Sequence, residues 1–374
     1  MARPDTDVVV VGAGIVGLAA AAALARRGRS VLILERARGI AQETTSRNSQ
    51  VVHAGLYYPP GSLKAVLCTA GREALYERCE ALRIPHRKLG KLVVATNDAE
   101  GVRLERLLEN GRQNGVPGLE IVDGEEAARR EPEVRAVAAL VSPESGIVDA
   151  HALALSYQAE AEAHGANLLL RTEVEALEHV RGAWRVGARG PDGERERVTC
   201  AAVVNAAGLW ADRVAELAGI DVDARGLRQR FCKGDTFALA PGRTLELSHL
   251  VYPLPSGGGL GIHATAGLDG RIHFGPDAEY VAEPSYQVDP DKADRFAESV
   301  SRYLPALRAD WLVPEMAGLR PRLHGPGEEP RDFAIEEESQ AGLPGLVNCI
   351  GIESPGLTAA PAIAERIAHR LDAL

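Results

Sequence analysis

The stretch Asp7-Val8-Val9-Val10-Val11-Gly12-Ala13-Gly14-Ile15-Val16-Gly17 decides the fold of this 374-residue chain. An apolar strand runs straight into a Gly-x-Gly-x-x-Gly turn. An Ala-rich helix follows, expected to run through Arg27, and a second apolar strand, Val31 to Leu34, ends on Glu35. Each part has a physical task in a dinucleotide-binding βαβ unit. Gly12 permits the tight turn out of the strand, Gly14 lets the backbone approach a pyrophosphate, and Gly17 lets the helix pack against the strand. The helix N-terminus, with Ile15 and Val16 in its first turn, offers free N–H groups to phosphates. Glu35 lies 18 residues past Gly17, where an acidic side chain accepts from ribose hydroxyls, and Arg36 adjoins it.

The same segment invites a second interpretation. Val8 to Ala25 carries no charge and is long enough for a membrane span or the apolar part of a signal peptide. Asp5 and Asp7 flank it, three glycines interrupt it at phosphate-loop spacing, and Arg26-Arg27-Gly28 supplies a helix stop. The expectation is a soluble protein with no transmembrane segment.

At 45% hydrophobic, a chain of this length buries a large core and is expected to split into two domains. The formal net charge of -10 disfavours nucleic acid or an anionic membrane as partner. Five scattered cysteines (68, 79, 200, 232 and 349) show no zinc spacing and read as small buried hydrophobes in a reducing cytoplasm.

Periodicity organises the rest. Helices are expected over 62–82, 99–114, 124–131, 151–165, 289–303 and 360–371, with one ending at Leu217. Strands are expected over 91–96, 138–141, 167–171, 201–204 and 345–349, with a hairpin over 183–199 turning at Pro191-Asp192-Gly193. The segment 226–273 is rich in glycine and short strands. Glu336-Glu337-Glu338 reads as a solvated turn.

Several ordered motifs resemble the D-amino-acid-oxidase-like superfamily of FAD enzymes, and within it the L-2-hydroxyglutarate dehydrogenase/oxidase family. The most specific is Thr45-Ser46-Arg47-Asn48-Ser49-Gln50-Val51-Val52-His53-Ala54-Gly55-Leu56-Tyr57-Tyr58-Pro59-Pro60, extended by Ser62-Leu63-Lys64-Ala65. Gly90-Lys91-Leu92, Gly146-Ile147-Val148-Asp149, Asn205-Ala206-Ala207-Gly208, Gly261-Ile262-His263, Gly318-Leu319-Arg320 and Glu353-Ser354-Pro355-Gly356-Leu357-Thr358 follow in order. The resemblance implies an α/β fold: a discontinuous Rossmann-like FAD-binding domain from 1–85, 145–222 and 317–374, and a mixed-sheet α+β substrate domain from 86–144 and 223–316. It implies that Gly12, Gly14 and Gly17 face the FAD pyrophosphate and Glu35 the adenosine ribose. Val174 would meet the adenine, and Ala207 and Gly208 would pass close to the dinucleotide. Thr45, Ser46, Arg47 and Asn48 would approach the flavin side, with Gly318 and Arg320 near it. Backbone donors of Gly356, Leu357 and Thr358 would face the flavin's pyrimidine edge, where reduction places negative charge.

The implied reaction oxidises a small L-2-hydroxy acid, with L-2-hydroxyglutarate leading, by hydride transfer to flavin N5; electrons then leave for oxygen or a soluble acceptor. That chemistry needs a carboxylate clamp, best supplied by a planar arginine fork, and Arg320 is the first choice. It also needs a base near working pH, for which His53 and His263 lead. Tyr57 and Tyr252 are further substrate-binding candidates, and Lys64 is placed to meet a distal carboxylate. Three features depart from the family pattern: Gln50 where glycine is more usual, a short segment 275–316, and a second arginine, Arg322. The runner-up activity is an FAD-dependent amino- or imino-acid oxidase, and a third is a flavin-binding protein without oxidative turnover.

Overall fold

A computed structural model describes residues 4–255 and 261–373; positions 256–260 of the glycine-rich middle segment lie outside the described residues. Strand Thr6–Val11 runs parallel between Val31–Glu35 and Arg195–Asn205, with Asn167–Leu170 beyond the former and Leu346–Ile350 beside the end of the latter. Val8, Val9 and Val10 are fully buried, because helices cover one face of this sheet and a second apolar cluster covers the other. That two-sided burial is why the strand reads as an unbroken valine run.

Helix Ile15–Arg26 is buried from Gly17 to Ala25, packed against helices Ala150–Ala163 and Gly356–Asp372. A helix apolar all round is the centre of a layer, which accounts for its span-like composition. Among the described residues no helix is long and apolar enough to cross a membrane.

A second, nine-stranded sheet is mixed: Leu250–Pro253 runs parallel to Lys91–Ala95, while its other pairings are antiparallel. Period-two alternation divides Lys91–Ala95 between two clusters. Leu92 and Val94 join Phe237, Phe274 and Phe296 under helix Ala293–Ser301, whereas Val93 and Ala95 join Val51, Ala54 and Leu56 of the loop segment after the first domain's glycines. Lys91 therefore shares the face that looks toward that loop. A small sheet of Val51–Val52, His86–Arg87 and Gly146–Val148 sits at the junction.

The α/β architecture expected from the sequence is observed, with several corrections. Residues 195–205 form one strand, Arg195–Asn205, rather than a hairpin arm and a separate strand; its first half pairs with Ala183–Arg189 and its second with Leu346–Ile350. The last helix starts at Gly356, not Ala360, and continues through Pro361, because burial of Ala359, Ala360 and Ile363 outweighs the lost N–H. The helix expected over 289–303 is shorter, Ala293–Ser301, preceded by a 3₁₀ turn. Glu336 and Glu337 end a strand, and Glu338 is buried, bound to Arg225 and to Asn348, so this run is not a solvated turn. Strand Leu312–Arg322 pairs along its whole length with Arg230–Leu239, so the second sheet extends past the expected boundary at 317. All five cysteines are buried and free.

Candidate active site

The glycine loop is shaped by contacts that leave no room for a side chain. A Cβ on Gly17 would lie 2.0 Å from the Gly12 carbonyl oxygen, and one on Gly12 would lie 2.6 Å from the Ala206 oxygen. Gly14 precedes the first helix without a side-chain cap, although Ile15 N–H donates to Thr45 Oγ1 at 3.1 Å. Glu35 accepts from Ala13 N–H and Ala37 N–H, both at 2.7 Å, which fixes its carboxylate at the loop's edge. Thr172 N–H donates to the Glu35 carbonyl, and Val174 follows two residues on. Ala207 N–H is turned onto Asn205 Oδ1, and Gly208 has positive φ with open space where a Cβ would stand. A bare backbone cradle, an uncapped helix start and a carboxylate at the end of the second strand fit the pyrophosphate and ribose of FAD.

The loop expected near the flavin holds itself by local bonds. Asn48 donates to the carbonyls of Thr44 and Thr45 and accepts from Gln50 N–H. Ser46 Oγ donates to Glu43 O and is exposed. Arg36 pairs with Glu43 and lies over Trp210, so its charge is engaged away from the glycines. Arg47 stacks on Tyr286, and its carbonyl would meet a Gly318 Cβ at 2.1 Å. Gly318 thus serves the approach of this loop to the second sheet.

His53 follows strand Val51–Val52 and is tied to the C-terminal loop twice. Its N–H donates to Thr358 Oγ1 at 3.0 Å, and its Nε2 lies 3.1 Å from Ser354 Oγ. Nδ1 has no hydrogen-bond partner among the described residues. Burial, and then the nearby Lys91 charge, hold its pKa well below the usual imidazole range, so the ring is neutral. Thr358 also donates to Val51 O, and its helix opens without a side-chain cap; Gly356 N–H donates to Glu353 O, and the N–H groups of Leu357 and Thr358 are left as donors.

The other charges beside this loop are paired. Lys64 Nζ donates to Glu353 at 2.9 Å and Arg322 Nε donates to its other oxygen at 3.0 Å. Burial alone would raise the Glu353 pKa; Lys64 and Arg322 overcome it and hold the carboxyl below its ordinary range. Lys64, expected to meet a distal carboxylate, and the second arginine are thus both paired with Glu353.

His263 and Tyr252 come together on the second sheet, rings stacked at 3.5 Å and 11°. Lys91 Nζ lies 3.8 Å from the Tyr252 ring centre and 5.3 Å from that of Tyr57. The phenol oxygens of Tyr57 and Tyr252 are buried without hydrogen-bond partners among the described residues, and burial pushes both phenols up. Burial also pushes the Lys91 amine down, to about 7, against a small opposing effect of Cys68. Arg320 stands elsewhere on this sheet, opposite Cys232, and donates from both terminal nitrogens to the Asp277 carbonyl at 3.1 Å. The Asp277 carboxylate is itself held by Lys292 and Arg295.

Residues 7–370 match the family of FAD dependent oxidoreductases. The chain belongs to that family. It is 41% identical to a mitochondrial L-2-hydroxyglutarate dehydrogenase of Arabidopsis thaliana, over 99% of this chain and 84% of that one. With the human protein of the same name it shares 38% identity over 73% of this chain and 60% of the relative. It is 30% identical to a glycerol 3-phosphate dehydrogenase of Caloramator mitchellensis over 96% of this chain and 72% of the relative. Among solved structures, the FAD-bound, dithionite-reduced L-alpha-glycerophosphate oxidase of Mycoplasma pneumoniae superposes with a TM-score of 0.86 at 27% identity, covering 98% of this chain and 94% of that one. The glycine oxidase of Geobacillus kaustophilus superposes at 0.82 with 21% identity, over 99% and 95% of the two chains, a likeness of fold. The chain is an oxidoreductase and FAD is its cofactor.

Two groups of this FAD-dependent oxidoreductase escaped the sequence reading. Ser354 carries no local mark of a role, and Lys91 opens an otherwise apolar strand. Alternation carries the signal for Lys91: it lies in step with Val93 and Ala95, on a buried face.

Proposed function

We propose that this enzyme oxidises a small L-2-hydroxy acid, foremost L-2-hydroxyglutarate, to the 2-oxo acid. FAD, when bound, supplies the two-electron oxidation. The observation that carries the reading is His53: a neutral imidazole with an uncommitted Nδ1, fixed by two hydrogen bonds to the loop whose amides fit a flavin. In the tautomer in which Nε2–H donates to Ser354, Nδ1 accepts the C2 hydroxyl proton as the C2–H bond is broken. His263 aligns Tyr252 by stacking, and Arg320, its fork anchored on Asp277, clamps the carboxylate adjoining C2. Closure between the two sheets keeps water from the reacting carbon. The 41% identity to an L-2-hydroxyglutarate dehydrogenase supports this substrate class. Dioxygen or a soluble oxidant completes the cycle, in keeping with a chain of net charge -10 that is poorly suited to anionic lipid. A cytoplasmic setting goes with the reduced cysteines, although relatives are named mitochondrial.

Product analysis tests the reading. Incubation with L-2-hydroxyglutarate and an artificial acceptor is expected to yield one 2-oxoglutarate per two electrons. Turnover only of amines with ammonia release, or only of glycerol 3-phosphate, would replace it.

A further inference from the structure

Lys91 is 1% exposed, yet no carboxylate pairs with it among the described residues. Lys64 and Arg322, by contrast, are compensated by Glu353, and Lys292 by Asp235 and Asp277. Aromatic faces attract an ammonium, but they replace only part of the hydration that burial removes. The uncompensated charge therefore has no account in the fold's own stability. The phenol groups of Tyr57 and Tyr252 are buried donors without partners among the described residues, and the rings of both residues lie against the same amine. A cation with two idle donors around it is a complete receptor for one carboxylate, the lysine giving charge and the phenols satisfying the remaining lone pairs. His53 lies within electrostatic reach of Lys91, which puts this receptor beside the group that handles the reacting carbon.

We propose that Lys91, with Tyr57 and Tyr252, binds the substrate carboxylate remote from the reacting carbon, so that the enzyme selects dicarboxylic hydroxy acids. The inference rests on the hydroxy-acid reading above and adds the residues that select for a remote carboxylate. It assigns to Lys91 the part expected of Lys64. A monocarboxylate would leave this buried cation unpaired when it binds, which discriminates against such substrates.

The test compares wild type, Lys91→Met and Lys91→Arg as FAD-loaded proteins. Initial rates are taken on L-2-hydroxyglutarate and on L-2-hydroxypentanoate, which has the same carbon number and one carboxylate. Binding of the inert pair glutarate and pentanoate is measured by calorimetry, and thermal midpoints are recorded. Lys91→Met is expected to lose roughly 10- to 100-fold in kcat/KM on hydroxyglutarate, mostly through KM, the size of a charged hydrogen bond. Its rate on hydroxypentanoate stays within about threefold, glutarate binding weakens in parallel, and Lys91→Arg recovers part of the loss. The thermal midpoint holds or rises, since an uncompensated charge has been removed. Equal losses on both substrates, an unchanged glutarate preference, or a fallen midpoint would overturn the assignment, the last by making Lys91 structural. If wild type ignores L-2-hydroxyglutarate, the function reading falls by itself, and the glutarate and pentanoate affinities still decide the role of Lys91.

Discussion

Gln50 adopts φ +57°, the left-handed region that costs a side-chain-bearing residue about 1–2 kcal/mol relative to glycine. Its N–H is held by Asn48 Oδ1, which offsets part of that strain. Gln50→Gly is expected to stabilise the protein by about 0.5–1 kcal/mol after the entropy of the unfolded chain is counted, measured by urea unfolding. The departure from the family's glycine was legible in the sequence, and its physical meaning is this conformation. His53→Asn is expected to retain FAD and lower the rate of flavin reduction by about 10²–10⁴, the range of a lost general base. His53 was legible as a candidate because a histidine stood in a specific motif. The contacts that fix its ring and backbone were not, since they come from Ser354 and Thr358, some 300 residues away. The pairing of Lys64 was hidden for the same reason: its partner Glu353 lies 289 residues along the chain.

At the scale of elements, Glu353 joins the start of helix Leu63–Leu82, the end of strand Leu312–Arg322 and the C-terminal loop. Glu353→Gln leaves Lys64 and Arg322 buried without a countercharge and is expected to cost about 3–5 kcal/mol in chemical unfolding. Because the folded carboxyl titrates below its ordinary value of 4.5, its stabilisation is present above that pH and is lost as pH falls through the folded pKa. The stability of wild type should therefore fall more steeply with acid than that of Glu353→Gln, and the two should converge as Glu353 takes up its proton. In the first helix, Gly17→Ala drives a Cβ into the Gly12 carbonyl, so purified protein is expected with little FAD or a collapsed yield. Strong local patterns made these elements legible: the valine run, the glycine spacing, and the Ala-rich helix. The early start of helix Gly356–Asp372 was hidden because glycine and proline signal a loop, and only burial against the first helix reverses that signal.

For the whole molecule, the chain leaves and re-enters the nucleotide layer, so His53, Ser354 and Lys91 meet only when segments far apart in the sequence come together. The two sheets were legible from order and motif. The course of Leu312–Arg322 was not, because one strand carries a motif for the flavin side and its hydrogen bonds for the other sheet. Lys91 links this assembly to pH. Its folded pKa of about 7 lies below the 10.5 of the free side chain, so the unfolded chain binds more protons between those values. Stability should rise with pH across that window, by at most about 1.4 kcal/mol per unit, and Lys91→Met should remove this increment in paired thermal scans.

The most direct measurement is anaerobic mixing of the FAD-loaded enzyme with the two enantiomers of 2-hydroxyglutarate while the flavin's visible band is recorded. Rapid bleaching by the L isomer, with the D isomer inert, is the predicted result. A band that stays oxidised with L-2-hydroxyglutarate, or bleaches equally with both enantiomers, would contradict a site built from His53, Arg320 and Lys91 for that substrate.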